Sequence, residues 1–272
     1  MPKNKNKDIA NETMQTINAG YYTINDKIIN ISEQIAYTNS HTAFISEQDA
    51  NDLEDAFIQK STLPKIELCD ETTLSAIIRL SCEANNLGTL NFASAKNPGG
   101  GFLNGAMAQE ESLAVASALY PSQLQRTQYY AINRRCKSFV YTDCAIWSPD
   151  VIFFRDDSAN FLMTPAKSHV LTIPGVNFGQ VLLKGEDTNA AKIAMKRRMK
   201  IALAIFANMG CDMVILGAFG CGVFRNNPAD VAMWWNELLN EYGGHFNRIV
   251  FSIYDRSRLR ATYKAFCNYF QA

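Results

Sequence analysis

Apolar positions recur at helical spacing over residues 8–19, where Ile9, Ala10, Thr13, Met14 and Ile17 share a face and Gly20 stands at the stop. Tyr22, Ile24, Ile28 and Ile29 then flank the turn pair Asn25-Asp26, a hairpin pattern. From Ser32 to Leu63 the pattern weakens, apart from a short helix expected over 48–59. Residues 1–62 therefore read as a helical and hairpin appendage packed on a core of residues 63–272, the two forming one structural unit. In that core, strands expected at 65–68, 89–94, 138–141, 145–155, 170–173, 212–217 and 248–254 are interleaved with helices. The helices are expected from the caps at 70–73 to about 86, then at 107–119, 122–133, 190–209, 228–242 and 258–269. Gly88 is read as the stop of the first of these helices, and Pro149 as a break or sheet edge. Strands alternating with helices predict an α/β protein: a three-layer α/β/α sandwich with a mixed, largely parallel sheet.

Two small-residue loops follow expected strands and precede expected helices. The first, Asn97-Pro98-Gly99-Gly100-Gly101, leads to Gln109-Glu110-Glu111 at a helix start. The second is Gly217-Ala218-Phe219-Gly220-Cys221-Gly222-Val223-Phe224. In a parallel sheet both lie at the edge where open α/β sheets bind ligands, and amide-rich loops at helix starts favour anions. Two such loops suit a diphosphate. Neither a GxGxxG at the first loop nor a GxxxxGK[ST] element is present, so hydride transfer and ATP hydrolysis lose their main support. Read alone, the second loop's glycines are equally compatible with tight turns, and Glu110 and Glu111 with first-turn helix acids.

Composition narrows the reading further. The 272 residues carry 26 Lys plus Arg against 26 Asp plus Glu, so there is no overall field to draw in duplex nucleic acid or an anionic membrane. Lys196, Arg197, Arg198 and Lys200 are read as the wet side of a helix. Seven scattered cysteines and three scattered histidines give no zinc-site spacing, and neither a metal nor a cofactor is expected. The Lys/Asn-rich start has no apolar run behind it, and no stretch approaches a membrane span, so a cytoplasmic protein is expected.

The GGG element followed after seven residues by Gln109-Glu110-Glu111 resembles the signature of poly(ADP-ribose) glycohydrolases. The second glycine loop is similar to that family's second phosphate loop. Residues 91–102 and Ile9-Ala10-Asn11-Glu12-Thr13 resemble its compact bacterial-type branch. The resemblance implies a macrodomain and hydrolysis of ribose–ribose O-glycosidic bonds in poly(ADP-ribose) from the free end, with ADP-ribose as product. It implies Glu111 as the acid/base and Glu110 as the holder of the terminal ribose hydroxyls. Gly99, Gly100, Gly101, Gln109, Gly220, Cys221, Gly222 and Val223 match substrate-binding positions, and Phe224 the aromatic that positions a ribose. Asn97 is a candidate ribose contact with Asn91 and Ser94 as rivals, and Phe178 is a candidate to stack on adenine.

The chemistry also stands on the residues. Cleaving an acetal at ribose C1 builds oxocarbenium character, so an acid must protonate the departing oxygen and a base must activate water. Adjacent Glu110 and Glu111 cannot flank a sugar, which favours one acid/base, Glu111, with a positioning partner. Their proximity to each other and to a diphosphate should raise one carboxyl, and Glu111 is expected to be protonated when substrate binds. Three alternatives stay open: an ADP-ribose-binding module without turnover, a hydrolase of mono-ADP-ribosylated protein or nucleic acid, and a cysteine enzyme using Cys221.

Overall fold

The computed structural model describes residues 3–270. In chain order its elements begin with α1 (Lys3–Ala19), the hairpin β1 (Tyr21–Ile24) and β2 (Lys27–Asn30), α2 (Ser32–His41), β3 (Ala43–Ile45) and α3 (Glu47–Asp55). They continue with β4 (Lys65–Cys69), α4 (Thr73–Leu80), β5 (Leu87–Ala93), α5 (Gln109–Ala116), α6 (Leu119–Leu124) and α7 (Thr127–Arg135). After β6 (Ala145–Arg155) and β7 (Phe161–Pro174) come α8 (Phe178–Lys184), α9 (Thr188–Asn208), β8 (Met213–Leu216), α10 (Pro228–Tyr242), β9 (Arg248–Ser252) and α11 (Ala261–Phe270).

Seven strands form one sheet in the order β3-β6-β7-β5-β8-β9-β4. The run from β7 to β4 is parallel, and β6 and β3 join antiparallel at one edge. Side chains alternate through the sheet as the pleat requires. Val214, Leu216, Ile249 and Phe251 pack with α9, α10 and α11, whereas Met213, Ile215 and Val250 pack with Leu74, Ile77 and Leu80 of α4 and Leu113 of α5. The result is the three-layer α/β arrangement expected from the sequence. The small strand β3 brings residues from before position 63 into the same sheet.

Several elements differ from the sequence reading for identifiable reasons. Gly88 lies inside β5 and ends no helix; a Cβ there would come within 2.7 Å of the Phe206 ring and 2.9 Å of Cys211 Sγ. Pro149, in contrast, falls as expected at an irregular edge: it sits at a bulge between Ser148 and Val151, past the last residue of β6 that pairs with β3, where Gln34 and Thr38 of α2 donate to Asp150 O. Residues 138–141 form a turn, with Tyr141 in the left-handed region (φ +61°) and Tyr141 N donating to Ser138 O. Helix α2 escaped the pattern because only Ile35 and Thr38 are buried along it. The basic run on α9 is not one wet face: Arg198 is 1% exposed and bonds Asp143 at 2.8 Å, while Arg197 pairs with Glu54 and Asp143.

Candidate active site at the split between two parallel strands

Strands β5 and β8 pair only as far as Thr89 and Ile215. Beyond that point they part, and the Gln109 side chain fills the opening: Oε1 accepts from Phe92 N at 2.9 Å, and Nε2 donates to Leu90 O at 2.8 Å. This amide replaces a missing ladder partner and fixes the start of α5 against the sheet. Gln109, assigned to substrate by its motif, thus has both ends of its amide engaged by β5.

The next two residues occupy different environments. Glu110 is 3% exposed and accepts from Ser94 N at 2.6 Å, Gln123 Nε2 at 3.1 Å and Asn91 Nδ2 at 3.2 Å. Burial pushes its carboxyl up to about 8, against the pull of these three donors, with the charge of Glu111 the smallest contribution. The lift expected for one member of the pair therefore sits on Glu110, and desolvation rather than like-charge repulsion is its main cause. Glu111 is half-buried, and its Oε1 accepts from Gly101 N at 2.9 Å.

The glycine loop is shaped around these carboxylates. Gly99 and Gly100 both have φ +60°, which disfavours any residue with a Cβ. Gly99 N donates to Gln123 Oε1 at 2.7 Å, so Gln123, buried near the end of α6, joins the loop to Glu110. Asn97 is exposed, and its backbone N donates to Ser94 Oγ at 3.1 Å.

The second loop follows β8. Gly220 has φ +70°, and a Cβ there would lie 2.5 Å from Nδ2 of buried Asn226, which donates to Gly220 O and Val176 O. The amides of Gly222, Val223 and Phe224 have no backbone partner among the described residues and are free to meet an anion. Burial pushes the Cys221 thiol up to about 12, the opposite of what a thiolate nucleophile needs. Phe224 lies 6.3 Å from Tyr141, ring centre to ring centre.

Between the parted strands opens a cavity of about 580 Å³. Gln109, Cys221 and Gly222 line it, and it extends past Phe92 to Ile253, Tyr254 and Thr262. The other candidate residues, Glu110, Glu111, Asn97, Gly99, Gly100, Gly101, Gly220, Val223 and Phe224, are not on its wall. Phe178 packs on the main core and is not on the wall either. Among the described residues no cluster of three or more His, Cys, Asp or Glu is placed to hold a metal, and no helix is long and apolar enough to cross a membrane.

The family model for the microbial-type PARG catalytic domain, PARG being poly(ADP-ribose) glycohydrolase, matches residues 10–156, more than half the chain. The chain belongs to the microbial-type poly(ADP-ribose) glycohydrolase family. It is similar to the crystal structure of the glycohydrolase from Thermomonospora curvata, with 33% identity, 98% of this chain and 100% of that chain covered, and TM-score 0.93. The same enzyme bound to the inhibitor ADP-HPD aligns with TM-score 0.91, 33% identity, and 97% and 99% covered. The glycohydrolase from Deinococcus radiodurans in complex with ADP-ribose aligns at 39% identity and TM-score 0.84, with 87% of this chain and 97% of that chain covered. No curated protein matches the sequence.

Within this member of the glycohydrolase family, sequence reasoning missed Gln123, Thr172 and Asn226. Gln123 and Thr172 complete the polar shell of Glu110 and Asn91, and Asn226 holds Gly220. Thr172 is a single buried polar residue in an apolar stretch, a pattern that signals a hydrogen-bond duty without saying to what, whereas Gln123 and Asn226 stand among polar neighbours and carry no such mark.

Proposed function

We propose that this protein hydrolyses the ribose–ribose O-glycosidic bonds of poly(ADP-ribose) from the free end and releases ADP-ribose. The observation that carries the reading is the seating of Glu111: the Gly101 amide fixes one carboxylate oxygen, and Gly100 leaves room for the carboxylate directly beside the loop. The adenosine end of the substrate occupies the cavity between the parted strands, towards Tyr254 and Thr262. Its diphosphate meets the free amides of Gly222, Val223 and Phe224, and its distal ribose lies between Phe224 and the first glycine loop. Asn97 and Glu110 serve that ribose, Glu110 from a buried seat that keeps its geometry fixed.

In this scheme Glu111 gives its proton to the oxygen leaving ribose C1. The C1–O bond breaks with its electron pair going to that oxygen, and the positive charge that develops at C1 is stabilised by the substrate's own diphosphate. Glu111, now a carboxylate, removes a proton from the water that attacks C1, which restores the acid. Gln109 acts by position, tying the helix start to β5.

The described part of residues 1–62 serves the site as a packed cover on the catalytic core that follows it, supported by three contacts. Asn6 Nδ2 donates to Gly105 O at 3.2 Å, Thr13 Oγ1 donates to Val115 O at 2.7 Å, and Glu12 pairs with buried Arg155 at 2.9 Å. The balanced charge and the absence of any membrane-length helix among the described residues support an aqueous, cytoplasmic setting. The test is to offer purified protein both poly(ADP-ribose) and mono-ADP-ribosylated protein and identify the products. Free ADP-ribose from the polymer alone is expected; release from the mono-modified protein alone would overturn the assignment.

A further inference from the structure

Among the described residues the wall of the 580 Å³ cavity carries no lysine or arginine; its charged groups are Asp156, Asp157 and Asp255. A polymer with a pyrophosphate in every unit therefore meets no cation of the described residues there. The unpaired cations near the glycine loops lie elsewhere. Lys96, one residue before Asn97, has its Nζ 5.6 Å from the Phe139 ring centre and 5.7 Å from that of Tyr141. Tyr141 in turn is 6.4 Å from Phe139 and 6.3 Å from Phe224. None of these four side chains lines the cavity. Arg134, Arg135 and Lys137, at the end of α7 and just beyond it, are exposed. Among the described residues no carboxylate pairs with them or with Lys96, in contrast to Arg197 and Arg198, which Asp143 neutralises.

The segment that carries the two rings is held firmly. Glu186 accepts from Ser138 Oγ at 2.6 Å and from Phe139 N at 3.1 Å, and buried Arg198 donates to Val140 O at 2.9 Å. Asn133 Oδ1 accepts from Thr142 N at 3.1 Å, and Tyr141 keeps its left-handed backbone. Rings carried on a backbone held in this way bind with little ordering cost. An aromatic pair beside a cation matches the chemistry of an adenine joined to a pyrophosphate: the base stacks and the anion pairs.

We infer that Lys96, Phe139 and Tyr141, with Arg134, Arg135 and Lys137 further out, form a subsite for the leaving part of the polymer, on the far side of the scissile ribose from the cavity. The inference rests on the proposed poly(ADP-ribose) reading. Phe224 then marks the junction, with one unit on its cavity side and the next on its Tyr141 side.

The test uses the full chain with Glu111→Gln, so that labelled polymer stays uncleaved, and follows polymer binding by fluorescence anisotropy and ADP-ribose binding by calorimetry. Adding Lys96→Gln, or the triple change Arg134→Gln, Arg135→Gln and Lys137→Gln, is expected to weaken polymer binding by about tenfold and flatten its salt dependence. ADP-ribose affinity should stay within about twofold, and Lys96→Arg should retain polymer affinity. Unchanged polymer binding would overturn the subsite. So would an equal loss of ADP-ribose affinity, or competition by single-stranded DNA of the same charge as tight as that of the polymer itself. If the unmutated protein releases no ADP-ribose from polymer, the proposed activity fails, while the binding comparison still decides the subsite.

Discussion

The Glu111 carboxylate rests against the bare Cα of Gly100: a Cβ added at Gly100 would overlap Glu111 Oε1, lie 2.8 Å from its Cδ and come within 3.2 Å of Glu110 Oε2. Gly100 also has φ +60°, so alanine there is strained as well as crowded. Gly100→Ala should cost about 1–3 kcal/mol of stability and displace the acid. Urea melts combined with polymer turnover check this, and full activity in the alanine variant would show that the loop does not set the carboxylate.

The glycines of the second loop should separate by role. A Cβ on Gly217 would meet the Phe92 ring at 2.8 Å and Ser252 O at 3.1 Å, whereas one on Gly222 would meet nothing within 4 Å. Gly217→Ala should therefore lower the melting temperature. Gly222→Ala should fold normally and bind ADP-ribose more weakly, because its new methyl intrudes where a diphosphate approaches the bare amide. Thermal melts and calorimetry on both variants test the division.

Glu110 gives the protein a pH signature. Burial pushes its carboxyl from an ordinary value of 4.5 up to about 8 in the folded protein. Between those values the unfolded chain has released a proton that the folded chain keeps, so Glu110 makes stability fall as pH rises through this window and level off above it. Glu110→Gln should flatten that slope. It should also cost about 1–3 kcal/mol, since an amide NH2 would face the donors Ser94 N, Asn91 or Gln123. Denaturant melts across the window would contradict the account if the slope survived the substitution.

Cys221 sits among the right backbone but has the wrong chemistry. With its thiol pushed up to about 12 it is not a thiolate near neutral pH. Cys221→Ser should retain polymer hydrolysis within about threefold, and abolition with normal folding would revive a cysteine mechanism.

The architecture was legible because the central strands are short apolar runs buried on both faces, such as β8, and because glycine loops punctuate them. The acid pair was legible through its place after Gly99, Gly100 and Gly101 and the resemblance that the combination carries. The division of labour inside the pair was not. Whether Glu110 or Glu111 is the buried one depends on Asn91, Gln123 and Thr172, which converge from β5, α6 and β7 and leave no mark in local periodicity. Residues 138–141 misled for a related reason: they have strand-like composition, but Glu186 and Arg198 take their backbone groups and a turn results. Likewise, the basic run on α9 reads as solvated until Asp143 and Glu54 are placed beside it.

The most direct test of the central claim compares the unmutated protein with Glu111→Gln on labelled poly(ADP-ribose), with ADP-ribose affinity measured on both. The unmutated protein should release ADP-ribose from the polymer's free end. Glu111→Gln should lose turnover by at least about a thousandfold while binding ADP-ribose within about tenfold. Retained hydrolysis in a folded Glu111→Gln variant would contradict the assignment of Glu111 as the acid and base of the reaction.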